Sequence, residues 1–510
     1  MVRLSHTQYG SALPMNKPTA YGRLEEIFRK ASILGDTLSV LHWDMSTMMP
    51  DGGADARTEQ LALLKSMAHG LVTGPEIPEL LERAEGEVAD AWERANLREM
   101  RRDWVHAAAV PPALVDALAR AESACEMVWR EARPAADFKM VLPSLAEVLA
   151  RVREVGAAKA EALGIGIYDA LLDQYEPDGR SADIDGVFAE LEGFLPDFIG
   201  RALDTQAARP EPKLPPGPFA TERQRALGLE LMTALGFDFD HGRLDTSFHP
   251  FCGGYPEDVR ITTRYDEDDF TSAMMGVLHE TGHALYDFGL PGGRWRHQPV
   301  GRARGMQVHE SQSLLIEMQA CRSRDFMGWA APRMRAAFGG EGWDADTLYR
   351  QGIRVERGFI RVDADEVTYP AHVIIRYGLE KALIEGRMDL ADLPAAWNGG
   401  YRRLLGITPP DDRLGCLQDI HWYGGAWGYF PTYTLGAMTA AQLFDAAKRA
   451  EPALMTAIGA GDFRPLLGWL KTNVHGKGSS LSTRDLLVQA SGRPLDAAVF
   501  KAHLERRYLG

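Results

Sequence analysis

Two histidines four positions apart, His279 and His283, enclose a glutamate, Glu280, in the run GVLHETGHALYD. On an α-helix, residues at that spacing lie on one face a turn apart. Two imidazole nitrogens can therefore be offered to a single metal ion. Glu280 sits about 100° round the helix from His279, which aims its carboxylate at a water on the metal rather than at the metal. That is the placement a general base needs. With 14 histidines in 510 residues, chance supplies on the order of 0.03 matches to HExxH. The competing reading is a partly buried polar helix face without metal.

A catalytic zinc takes a third protein ligand and keeps a fourth position for water. The extended pattern HExxHxxGxxH is not met, because Gly289 stands where its last histidine would be. A downstream carboxylate is the next option. In GMQVHESQSLLIEMQA, Glu310 precedes an apolar helical run, Glu317 shares a similar helix face, and His309 is a third candidate. Spacing does not choose among them.

The elements that must position these groups read mainly as helix. YGRLEEIFRKASILGDTLSVLHWDM, SLAEVLARVREVGAAKAEALG, DIDGVFAELEGFLPDFIGRALD and RQRALGLELMTALG carry apolar residues at spacings of three and four. The proline-rich stretch at 208–222 is either a domain linker or an ordered crossing loop between helical halves. The helical period lapses in DTSFHPFCGGYPEDVRITTRYDEDD, where VRITTRY alternates as a strand does. It returns with DDFTSAMMGVLHETGHALYDFG, acidic at its start and with Gly289 near its end. A small β element is thus expected beside the HETGH helix.

Three further stretches offer chemistry. Residues two apart on a strand share a face, so Asp258, Arg260 and Thr262 of DVRIT point the same way. A guanidinium there could grip a carboxylate bidentately, with Asp258 holding Arg260; a solvated polar strand face is the alternative. IRVDAD supplies Arg361 with Asp365 four residues on, either a second guanidinium for substrate or an ordinary surface helical pair. GCLQDIHWYGGAWGYFPTYT is dense in glycine and aromatics. Most of it reads as packing, but His421, Tyr429 and Tyr433 carry groups that could donate to an oxyanion.

Bulk properties narrow the class. A net charge of −15 argues against nucleic acid or an anionic membrane as partner. No apolar run approaches the roughly 18 residues of a membrane span. Residues 1–17 have no apolar h-region and are expected to form a flexible tail rather than a signal peptide. Cys125, Cys252, Cys321 and Cys416 form no CxxC pair and suit reduced thiols in a cytoplasmic setting.

HETGH followed by HESQS resembles the M32 metallocarboxypeptidases, the thermostable carboxypeptidase Taq type. Four more family motifs occur in the family's order: HPF at 249–251, DVRIT at 258–262, IRVDAD at 360–365 and GCLQDIHW at 415–422. LHWDMSTMMPDGGADARTEQ resembles the family's amino-terminal region. The resemblance spans nearly the whole chain and implies one catalytic unit over 18–510. It implies Glu310, the glutamate of HES, as third zinc ligand, and Arg260 with Arg361 as the grip on a substrate's terminal carboxylate. Similarity to related helical zinc peptidases favours Tyr429 as oxyanion donor, with His421 as a second substrate contact. The implied fold is a mainly α, two-lobed body with a deep groove, usually a homodimer. The implied activity is removal of single amino acids from the free C-terminus of peptides, by a zinc-activated water with Glu280 as base. A helical zinc endopeptidase or oligopeptidase, and a peptide-binding protein with a structural metal, are the rival readings. Such a donor set also accepts cobalt or manganese.

Overall fold

Aspartates and serines start many of the helices by accepting from their first free N–H groups. Asp269 accepts from Thr271 N (2.9 Å) and opens the helix Phe270–Gly289, which carries HETGH. Asp137, Asp344, Ser482 and Asp496 cap four others in the same way. The computed structural model describes residues 19–510; the tail expected over 1–17 lies outside the described residues. Among these there are twenty α-helices and one three-stranded sheet. The four helical runs read from periodicity fall within the helices Ala20–Thr47, Phe138–Leu163, Ser181–Ala207 and Thr221–Ala234. No helix among the described residues is long and apolar enough to cross a membrane.

The expected β element is a sheet in the order β1-β3-β2, with β1 Gly242–Thr246, β2 Cys252–Tyr255 and β3 Asp258–Thr263. β3 runs parallel to β1 and antiparallel to β2. Val259 and Ile261 face inward and join Leu244, Val277 and Ala284 in one apolar cluster. The sheet is thereby seated directly on the HETGH helix. The opposite face of β3 carries Asp258 and Arg260, which pair with each other (2.9 and 2.6 Å).

The proline-rich stretch forms an ordered crossing. Phe219 N donates to Glu267 O (2.7 Å) and Arg350 Nη2 to Pro210 O (2.5 Å). Phe198 before it, Phe219 within it and Phe270 after it belong to one large buried apolar cluster. A separate small cluster, with Phe28, Ile77, Leu81 and Met100, holds the amino-terminal helices together.

Two helices approach closely at Gly282, inside HETGH. A Cβ built there would stand 2.6 Å from both Gln312 O and Ser313 Cα of the helix Met306–Leu314. The latter carries Glu310. On its other side Gly436 of the helix Pro431–Ala450 leaves room for the Glu310 side chain, whose Cβ and Cγ would lie 2.9 Å from an added methyl. Both contacts are against backbone or the root of a side chain, so neither can relax cheaply. Gly282→Ala is expected to cost about 1–3 kcal/mol of stability and to lower bound metal, read by urea denaturation and metal analysis. A variant with wild-type stability and metal content would show that the two helices are not in backbone contact.

Candidate metal centre and substrate cleft

Two helices and one glutamate build the centre. His279 and His283 project from one face of the HETGH helix, and Glu310 meets them from the neighbouring helix. Glu310 Oε2 lies 3.9 Å from His279 Nε2 and 3.5 Å from His283 Nε2. One ligand atom from each of the three lies within 4.8 Å of the other two. The far nitrogens are already engaged. His279 Nδ1 donates to Glu317 Oε2 (3.0 Å), and Glu317 Oε1 accepts from Arg322 Nη2 (2.7 Å). His283 Nδ1 lies 2.7 Å from His309 Nδ1, whose Nε2 faces Asp287 Oδ1 at 3.5 Å. Each Nδ1 being occupied, both Nε2 atoms are left facing Glu310. Two imidazoles and a carboxylate are the donor types a divalent zinc-like ion prefers, so the residues present fit a metal.

Burial and neighbours set the charges. Burial works against a charged His279, but the Glu317 hydrogen bond and the adjacent carboxylates raise its pKa to about 10. Burial pushes His283 down to about 4. It opposes ionisation of Glu310 too, yet His283 and His279 hold that carboxyl down to about 2. Glu280, 7% exposed, is pushed up to about 7, chiefly by burial.

His279, Glu280 and Glu310 line a deep groove of about 1360 Å³. Arg361, His421 and Tyr433 line the same groove. Arg361 sits in a 3-10 turn rather than a helix, and its partner is Asp419 rather than Asp365. Asp419 Oδ1 accepts from Nε (3.1 Å) and Nη2 (2.9 Å) of Arg361, and Oδ2 accepts from Arg376 Nε (2.6 Å). Burial opposes the Asp419 charge, but these two guanidiniums hold its carboxyl well below the ordinary range. The Arg361 guanidinium lies over the Tyr433 ring (4.7 Å), and the Tyr433 hydroxyl is 3.2 Å from His421 Nε2. Burial takes His421 down to about 4. Asp365 instead holds the turn that leads into the helix Tyr369–Ile384, accepting from Val367 N and Thr368 N.

Besides His283, which is buried behind the lining, Asp258, Arg260, Thr262 and Tyr429 are placed off the groove lining. Arg260 is held by Asp258 and lies over the Trp43 ring (4.5 Å). Thr262 is fully buried, its Oγ1 accepting from Phe251 N (3.0 Å) and meeting Ser247 Oγ (2.7 Å), which ties down the HPF loop. Tyr429 packs edge-on against Tyr433 and Tyr175.

The sequence model of the family described as Carboxypeptidase Taq (M32) metallopeptidase matches residues 23–508. Thermostable carboxypeptidase 1 of Thermus thermophilus is 40% identical over 511 residues, covering 97% of this chain and 99% of that protein. Carboxypeptidase 1 of Bacillus subtilis is 33% identical, covering 95% and 97%. The solved structure of Trypanosoma cruzi metallocarboxypeptidase 1 superposes with a TM-score of 0.94 at 41% identity, over 96% of this chain and 99% of that one. An M32 carboxypeptidase from Deinococcus radiodurans R1 gives 0.91 at 33% identity, over 96% and 98%. The chain belongs to the M32 metallopeptidase family.

As an M32 metallocarboxypeptidase the protein uses a divalent metal, and His279, His283 and Glu310 form the candidate site for it. Sequence reasoning missed the groups that hold this machinery in place: Arg322 behind Glu317, Asp287 behind His309, and Arg376 beside Asp419. Only Asp419 carried a signal, as the acidic member of GCLQDIHW. Tyr369, a further hydroxyl on the groove lining, was missed as well. Glu317 and His309 lie on the far nitrogens of the candidate ligand histidines, where an orienting partner stands, and outside the candidate ligand group. Loss of such a partner typically weakens metal affinity by about 10–100-fold. Glu310→Ala should therefore empty the site, while His309→Ala and Glu317→Ala keep a metal bound more weakly by about that factor, measured by chelator competition. An empty site in Glu317→Ala beside a filled one in Glu310→Ala would reverse the assignment.

Proposed function

We propose that this M32 enzyme is a zinc carboxypeptidase that removes one residue at a time from peptides with a free C-terminus. The observation that carries the reading is a single groove lined by the ligands His279 and Glu310, the carboxylate of Glu280 and the guanidinium of Arg361. His279, His283 and Glu310 would hold the zinc, which when bound supplies Lewis acidity to the scissile carbonyl and lowers the pKa of water. Glu280, next to His279 on the groove, takes the proton from the attacking water and passes it to the leaving amine. Tyr433 or His421 donates to the oxygen where negative charge develops; Tyr433 takes precedence over Tyr429 because it lines the groove. Arg361 is fixed on Asp419 before substrate arrives, so little ordering is needed for it to bind the terminal carboxylate. Arg260, turned onto Asp258 and Trp43, stands beside the groove in this reading. The reading keeps the homodimer that the family resemblance implies and the cytoplasmic setting that the scattered cysteines suit.

Two measurements test it. Glu280→Gln is expected to retain zinc and lose about 10²–10⁴-fold in kcat; full activity in a zinc-loaded Glu280→Gln protein would remove the base. Mass spectrometry of a peptide digest should show stepwise loss of single C-terminal residues, abolished when the peptide's C-terminus is amidated. Arg361→Met should slow cleavage of the free acid and leave the residual rate on the amide unchanged. Undiminished cleavage of the amidated peptide, or internal cuts, points to an endopeptidase instead.

A further inference from the structure

The helix bearing Glu310 does not end in water. Its last turn, Leu315–Ala320, is a π-turn, and the final carbonyls of any helix lack partners within it. Here they are met from elsewhere. Arg507 donates through Nη1 to Met318 O (2.6 Å) and through Nη2 to Gln319 O (3.3 Å), and Ser323 Oγ donates to Ala320 O (2.7 Å). Arg507 belongs to the last turn of the C-terminal helix Ala497–Tyr508.

Arg507 is itself fixed. Glu366 Oε2 accepts from Arg507 Nη1 (2.8 Å) and from the Tyr508 hydroxyl (3.0 Å). Glu366 Oε1 accepts from Gln319 Nε2 (2.7 Å) and faces His503 Nε2 at 2.8 Å. Glu366 is 5% exposed, so no bulk water is at hand to replace a lost partner. The C-terminal helix and the π-turn are thus joined twice, through the turn's carbonyls and through the Gln319 side chain. Met318 and Gln319 directly follow Glu317, so any rotation of their peptide planes rotates the carboxylate on His279 Nδ1.

We propose that the C-terminal helix is a strut for the metal site: Arg507, braced by Glu366, caps the π-turn and so holds Glu317 on His279. The inference rests on reading His279, His283 and Glu310 as metal ligands. A guanidinium at a helix C-terminus satisfies free carbonyls and complements the helix dipole, and breaking a buried charge pair leaves the other charge uncompensated. Arg507 lies off the groove lining, and Glu366, which lines it, is engaged by Arg507, Tyr508, His503 and Gln319; both act here as positioning residues.

The test is the rate at which EDTA strips zinc from the full-length, zinc-loaded protein, followed with a zinc indicator. Phe28→Leu, in the separate amino-terminal apolar cluster, is the comparison, with each variant assayed at the same interval below its own Tm. Arg507→Met is expected to lose zinc about tenfold faster than Phe28→Leu, and Arg507→Lys to recover part of the difference. Glu366→Gln, nearly isosteric, should also strip faster, and it carries the decision where Arg507→Met does not accumulate folded. Stripping at the Phe28→Leu rate in both Glu366→Gln and Arg507→Met overturns the strut, leaving those contacts as general stability only. A wild-type protein that takes up no zinc overturns the ligand assignment itself, a failure visible before any variant is made.

Discussion

Everything at the centre depends on two helices touching backbone to backbone at Gly282. A metal site assembled from separate helices needs its ligand atoms placed to within a fraction of an ångström, and side-chain packing alone tolerates more slack than that. A contact with no Cβ between the helices removes the slack. HETGH therefore does two jobs in five residues: its histidines face the candidate metal site, and its glycine admits the helix that brings Glu310. Gly436 repeats the device from the third side, so Glu310 is gripped between two helices that each give up a side chain for it.

The second constraint is charge. Burying an ion without a partner is costly, and buried ion pairs add little net stability compared with apolar packing. Each functional group here is nonetheless one link in a buried chain: His279–Glu317–Arg322, His283–His309–Asp287, and Arg361–Asp419–Arg376. What the chains secure is direction. An imidazole whose Nδ1 is held by a fixed partner has one tautomer and one ring orientation. A guanidinium already bonded along one edge presents the rest of itself in one way only. The fold spends stability on fixing orientations in a groove that must stay open to peptide.

These two constraints explain what could be read from the amino-acid sequence. Local spacing carried His279, Glu280 and His283, the strand at DVRIT and the long helices, because each depends on residues within a turn or two of one another. Family motifs carried Glu310 and Arg361. DVRIT pointed at Arg260 and Thr262, and the likeness to related helical zinc peptidases at Tyr429; all three lie beside the groove without lining it. A motif marks residues that belong to a site's neighbourhood, and only side-chain direction separates wall from buttress. Arg376 and Arg507 left no local mark, since an arginine that meets its carboxylate across the fold looks in sequence like any surface arginine. The Asp365 reading failed for a related reason: the i, i+4 pairing presumes a helix, and IRVDAD is a turn.

The choice between Glu310 and Glu317 shows the limit most sharply. Seven residues at about 100° each return to nearly the same direction, so on a regular α-helix both carboxylates would seek one spot. The helix is regular only to Leu314; from Leu315 it widens into the π-turn. A wider turn advances less per residue, so Glu317 lags behind the heading that Glu310 set. One carboxylate then faces His279 Nε2 while the other reaches round to Nδ1 of the same ring. Such single π-turns are frequent at functional sites, and here the irregularity has a specific use. It lets one helix supply both a ligand and the group that orients a different ligand, which a uniform helix with the same sequence spacing does not allow.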